Sequence, residues 1–150
     1  MNNLIIVLSF LLCVACDQPD GIERLKEFKI IATKGGELWE AHSNLEALTD
    51  NSDYVVLTGH KDQDHSVYIT FKIGKTGLAE VMVENTGYRE TIGGDVLKKE
   101  FLPGSAIVVI TEYDNAENVI GGEFQLELEE KSSNDVARFS AGKFRARMVQ

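Results

Sequence analysis

The stretch Tyr54-Val55-Val56-Leu57-Thr58-Gly59-His60-Lys61-Asp62-Gln63-Asp64-His65-Ser66-Val67-Tyr68-Ile69-Thr70-Phe71-Lys72-Ile73 decides the fold. Val67, Ile69, Phe71 and Ile73 alternate with Tyr68, Thr70 and Lys72. Apolar side chains on every second residue belong to an extended strand with one face buried, not to a helix. Residues 54–60 are rich in β-branched and aromatic side chains and read as a second strand. The polar residues 61–64 between the two runs read as a hairpin loop.

The same reading extends outward in both directions. Residues 29–33 (KIIAT) are strand-like and are followed by a Lys34-Gly35-Gly36 turn, and Leu38-Trp39-Glu40-Ala41 opens another extended piece. Residues 44–48 fit helix and strand alike, and Asp50-Asn51-Ser52-Asp53 is a turn. Residues 78–83 are again strand-like. Residues 84–102, with Gly87, Gly93, Gly94 and the charged Lys98-Lys99-Glu100, predict loops and one short edge strand. Residues 106–111 (AIVVIT) form a buried strand by composition, and Asp114-Asn115-Ala116-Glu117-Asn118 forms a hairpin turn. Residues 119–128 form a long strand in which Gly121-Gly122 marks a bulge or a close backbone approach. Residues 136–149 read as a final hairpin around Ala141-Gly142. Short strands separated by turn signals predict a single all-β domain, an antiparallel β-sandwich or barrel-like fold of about eight to ten strands.

The first residues follow different rules. Residues 4–15, LIIVLSFLLCVA, are apolar but shorter than the roughly 20 residues that span a bilayer. Their length suits the core of an export signal. They end at Cys13-Val14-Ala15-Cys16, and Asp17-Gln18-Pro19-Asp20 then turns abruptly polar. The sequence around Ala15 and Cys16 resembles the lipobox of bacterial lipoproteins. That resemblance implies cleavage after the small Ala15 and acylation of the Cys16 thiol, and two or more acyl chains anchor a protein stably. The expected organisation is a signal peptide at 1–15, a lipidated cysteine and tether at 16–27, and the β domain at 28–150. Cleavage discards Cys13, so Cys16 becomes the one remaining cysteine, committed to lipid and unavailable for a disulfide.

With 24 acidic and 15 basic residues, the chain carries a net charge of −9. That balance argues against nucleic acid as a partner, because phosphate binding needs a clustered positive surface. Lys143, Arg145 and Arg147 share one face of a strand opposite Phe144, Ala146 and Met148, and read as its solvated side.

Ile110-Thr111-Glu112-Tyr113-Asp114, Val119-Ile120-Gly121-Gly122-Glu123-Phe124 and Ala141-Gly142-Lys143-Phe144 form a second pattern. It resembles the C-terminal "TxYD…hxGxF…xGxF" signature of small Bacteroidota lipoproteins of unknown function, and Leu38-Trp39-Glu40-Ala41 resembles the piece that opens their domain. The resemblance implies a β-rich domain held at a membrane, and it supplies no catalytic residues.

The candidate sites are few. His60, Asp62, Asp64 and His65 place two imidazoles and two carboxylates within six residues, types that ligate zinc or a related ion. Lys61 in their midst and the shortage of further ligands favour a plain polar loop, so no metal and no cofactor is expected. Asp114 to Asn118 lacks the spacing of a calcium loop. No G-x-S-x-G elbow, G-x-G-x-x-G or P-loop occurs. Trp39, Tyr54, Tyr68, Tyr88 and Tyr113 would suit a glycan platform if they shared an exposed face. The simpler expectation puts Trp39 in the core and the tyrosines at sheet edges. The reading is a non-enzymatic, lipid-anchored envelope protein, outer-membrane by expectation, whose domain makes protein or glycan contacts. A carbohydrate-binding accessory domain of an uptake system is the alternative, and a small hydrolase stands behind it.

Overall fold

A computed structural model describes residues 25–49, 53–92 and 97–149. The apolar run 4–15, the Ala15–Cys16 junction, the tether up to residue 24, and the expected turns at Asp50 and at Gly93-Gly94 lie outside the described residues. Ten strands make up nearly all of the rest: β1 (Lys29–Lys34), β2 (Glu37–Ala41), β3 (Ser43–Thr49), β4 (Tyr54–His60), β5 (His65–Lys72), β6 (Gly77–Leu78), β7 (Gly87–Ile92), β8 (Leu97–Asp114), β9 (Val119–Glu130) and β10 (Val136–Val149). Among the described residues the only helical element is a single 3-10 turn at Val83–Asn85.

All ten strands belong to one sheet, which settles the fold as barrel-like and not a two-sheet sandwich. From β3 the pairing runs through β4, β5, β7, β8, β9 and β10, each antiparallel to the next. The ring closes where Arg147, Met148 and Val149 of β10 pair with Glu46, Ala47 and Leu48 of β3, in a parallel ladder. The β1–β2 hairpin joins the wall alongside the middle of β10, where Ile30 faces Phe144 and Lys34 faces Phe139. Closure leaves β2 and the two-residue β6 as the strands with a single partner among the described residues.

The alternation read from the sequence is what fills the ring. Val55 and Leu57 of β4, Val67, Ile69 and Phe71 of β5, Val108 and Ile110 of β8, Leu126 and Leu128 of β9, and Phe139, Phe144 and Ala146 of β10 all point inward and are buried. Aromatic rings hold the centre. Phe71 lies 5.8 Å from Phe144, and Tyr88 lies 5.3 Å from Phe139, on which Trp39 also packs edge-on at 5.6 Å. Trp39 is 2% exposed, as its expected core role requires. Tyr88 departs from the sheet-edge expectation and is fully buried.

Four expectations need correction. Residues 84–102 hold β7, which pairs with β5 on one side and β8 on the other, so it is an interior strand and not an edge. Its outward side chains, Arg89 and Thr91, are polar, which hid its inward Tyr88 and Glu90 from a reading based on hydrophobicity. Residues 78–83 contribute only the two-residue β6 and an isolated bridge from Val81 to Phe71 before the 3-10 turn. Ala141-Gly142 is not a hairpin turn. β10 runs through it with a bulge between Phe139 and Gly142, and Ala141 takes the left-handed conformation with φ of 49°. β8, β9 and β10, of 18, 12 and 14 residues, also exceed the short strands expected. By contrast, residues 44–48, left open between helix and strand, lie in β3.

The ring has two distinct ends. Leu25 to Phe28 enter beside Arg145, whose guanidinium donates to the Lys26 carbonyl at 3.0 Å and stacks over the Phe28 ring at 5.0 Å. The 114–119 turn lies at this entry end, where Asp114 Oδ1 accepts the N–H groups of Ala116 and Glu117. At the opposite end lie the β1–β2, β4–β5 and β9–β10 turns and the facing residues Ile92 and Leu97.

Candidate binding face

The four residues proposed for a metal are not assembled as one ligand set. His60 pairs with Ser66, so the two share a sheet face, and His65, the next residue, points to the other. His65 lies inward, where its Nδ1 donates to Asp62 Oδ1 at 2.7 Å and its Nε2 is 3.8 Å from Glu90. Asp62 Oδ1 also accepts the N–H groups of Asp64 and His65, so its carboxylate shapes the hairpin. Partial burial pushes the Asp62 carboxyl up, but these hydrogen bonds and the nearby imidazole outweigh it and hold the group below its ordinary value. Lys34 reaches into the same region, 3.7 Å from Glu90 and 4.7 Å above the Tyr88 ring. An ammonium there occupies the place a cation would take. Among the described residues, no group of three or more His, Cys, Asp or Glu is placed to hold a metal ion.

Tyr88 brings an unusual group into this region. Its hydroxyl is buried and has no hydrogen-bond partner among the described residues, and burial together with Glu90 and Asp62 pushes its pKa strongly upward. It stays protonated. The Trp39 indole N–H is buried and unpartnered in the same way. Trp39 and Tyr88 lie inside the ring, so they are not part of an exposed row of aromatic side chains.

Among the described residues, concave surface occurs on the outer face of β8, β9 and β10, which no sequence motif marked. A depression of about 370 Å³ is lined by Ile107 and Val109 of β8, Glu123 to Gln125 of β9, and Ala141 to Lys143 of β10. A second, of about 190 Å³, adjoins it and shares Ile107 and Gln125. The β10 bulge between Phe139 and Gly142 lies beside the larger one. Gly142 stands directly opposite Phe124, and a Cβ added there would come within 2.7 Å of three atoms of that ring. The Phe124 ring packs inward against Gly142 and fills the space that its missing side chain leaves. The reciprocal pair lies two residues along, where Gly122 stands opposite Phe144 and a Cβ would come within 2.9 Å of its ring. The close approach expected at Gly121-Gly122 is thus real.

Apolar side chains flank the depression. Ile107 is 49% exposed, and Leu78 of β6, directly opposite Val109, is 78% exposed. The basic face of β10 is less free than the sequence suggested. Arg145 forms a two-pronged pair with Glu112 at 2.9 and 3.3 Å, which pushes its pKa up.

These features define a domain of one curled, barrel-like sheet, with apolar side chains inside and, among the described residues, two depressions on its outer wall. Residues 27–146 match the family described as Domain of unknown function (DUF6252), and the chain belongs to that family. No curated protein and no solved structure matches the chain. Among the described residues, no helix is long and apolar enough to cross a membrane.

Proposed function

We propose that this protein is a lipid-anchored component of a bacterial cell envelope, and that its barrel is a binding domain without catalytic chemistry of its own. One observation carries the binding half. The barrel interior is filled by aromatic and aliphatic side chains, while an apolar depression with exposed Ile107 and Leu78 beside it opens on the outer wall. Exposed apolar surface next to a preformed hollow favours recognition of a partner. The anchoring half rests on the apolar run 4–15 and on Ala15-Cys16, which resemble a lipoprotein signal.

The finer kinship, to small Bacteroidota lipoproteins, gains a physical rationale from the barrel wall. The three quoted pieces are neighbours in space. Asp114 caps the turn from β8 to β9, and the two Gly-x-Phe pieces interlock across β9 and β10. The proposal puts the anchor in the outer membrane.

The test is mass spectrometry of the N-terminal peptide from the membrane fraction, with Cys16→Ser as control. The expected peptide begins at Cys16 and carries acyl chains, and the variant fails to partition with membranes. A free thiol at Cys16, or residues 1–15 still attached, would overturn the reading. Proteolysis of intact cells then reports which side of the membrane the barrel occupies.

A further inference from the structure

Four ionisable side chains from three parts of the ring meet at its hairpin end. Asp62 lies in the β4–β5 turn, His65 begins β5, Glu90 lies on β7, and Lys34 ends β1. They form a line. His65 Nδ1 donates to Asp62 Oδ1 at 2.7 Å, His65 Nε2 lies 3.8 Å from Glu90 Oε1, and the Lys34 ammonium lies 3.7 Å from Glu90 Oε2. Glu90 thus presents a separate oxygen to each neighbour and can hold both at once. His65 and Lys34 also both lie against Tyr88, the one stacked at 6.4 Å between ring centres and the other 4.7 Å above the ring.

The proton on His65 decides whether the line is continuous. A carboxylate only accepts, so the short contact to Asp62 keeps a proton on Nδ1. In the neutral ring Nε2 then carries a lone pair, and no proton stands between it and Glu90. A second proton gives Nε2 an N–H beside that carboxylate and makes the charges alternate: Asp62 negative, His65 positive, Glu90 negative, Lys34 positive. Imidazoles change charge between about pH 5 and 8. Across that range Tyr88 stays protonated, and Asp62, held below its ordinary value, stays ionised.

From this geometry, we infer that His65 is the pH-dependent link of a clasp that ties the β4–β5 turn, β7 and the β1–β2 hairpin together around Tyr88, closed when His65 is charged and broken at its centre when His65 is neutral. Mild acid therefore tightens this end of the ring, and the effect fades as pH rises through the imidazole range. At much lower pH, protonation of Asp62 breaks the line at its other end.

The test is amide hydrogen exchange, followed by NMR on the mature chain in detergent micelles at pH 6 and pH 8, with each rate corrected for the intrinsic effect of pH. Protection of residues 34–37 and 61–65 is expected to be about two- to five-fold greater at pH 6, the ratio that one added, partly exposed ion pair supplies. Glu90→Gln removes the middle link. The gain is then expected to vanish at residues 34–37 and to persist in part at residues 61–65, where His65 still meets Asp62. His65→Gln is expected to abolish both gains, and His42→Gln and His60→Gln to leave both intact. Equal protection at the two pH values, a gain at residues 34–37 that survives Glu90→Gln, or one that is lost in His42→Gln or His60→Gln would overturn the inference.

Discussion

Replacing Gly142 by alanine adds one methyl group directly against an aromatic ring in the barrel wall. The new Cβ would meet three atoms of the Phe124 ring at 2.7 Å, where ordinary contacts begin near 3.4 Å. The ring therefore has to retreat by roughly 0.7 Å, and close-packed interiors resist such shifts. It has little room, since Phe124 is 2% exposed and belongs to the central cluster. Overpacking of this kind costs about 1–3 kcal/mol. Loss of glycine's freedom in the unfolded chain returns about 0.4–1 kcal/mol, because the backbone at 142 lies outside the left-handed region. The net expectation is destabilisation by about 1–2 kcal/mol, read as a lower urea midpoint with an unchanged slope. The single tryptophan, Trp39, is buried against Phe139 and serves as the fluorescent probe. Gly74→Ala is the control, because nothing lies within 4 Å of its Cβ position, and it is expected to be neutral or slightly stabilising. Phe124→Leu costs stability alone but is expected to relieve the clash, so the double variant recovers at least about 0.5 kcal/mol relative to additivity. A neutral Gly142→Ala, or strict additivity with Phe124→Leu, would refute the interlocked glycine–phenylalanine account.

Other outcomes follow from single contacts. Tyr88→Phe removes a buried hydroxyl that has no partner among the described residues, so it is expected to leave stability unchanged or raise it by up to about 1 kcal/mol in the same urea assay. Asn118 holds a left-handed backbone with φ of 54°; Asn118→Ala is expected to cost about 1 kcal/mol, and Asn118→Gly clearly less. Acid is expected to loosen the hairpin end first. Asp62, Glu130 and Asp135 are all held below their ordinary values, Asp62 by the His65 and loop contacts that outweigh its burial, Glu130 by the Ser133 and Ser132 hydroxyls, and Asp135 by Lys99 and Ser133. A depressed carboxyl stabilises the fold above its unfolded value, and that contribution fades as pH falls through the folded one. Urea midpoints measured between about pH 5 and pH 2 should therefore fall less steeply for Asp62→Asn, which starts lower at neutral pH.

How far the sequence reached depended on how local each signal was. The alternation in β4 and β5 was readable because Val67, Ile69 and Phe71 face the core and Tyr68 and Lys72 do not. β7 was missed because its outward residues are polar and glycines surround it. Its place was set by long-range pairing with β5 and β8, which leaves no local trace. Ala141-Gly142 carries the composition of a turn, yet neighbours on both sides keep it in the strand as a bulge. The separation of His60 from His65 was set by register and not by loop length. A four-residue loop alone would pair His60 with His65 on one face; the observed register pairs His60 with Ser66 instead, and only that shift turns His65 to the other face. The outer hollows were beyond reach, since their linings come from three strands that only long-range pairing brings together.

The ring closes through residues 147–149 alone, and their partners in β3 lie about a hundred positions earlier in the chain. This has a consequence for timing. Until β10 has been made and delivered, β3 and β9 each lack a neighbour, and β1 has only β2. Folding rate falls as contacting residues become more distant in sequence. The step that locks the architecture therefore waits for β10, and the earlier strands stay an open ribbon until it pairs.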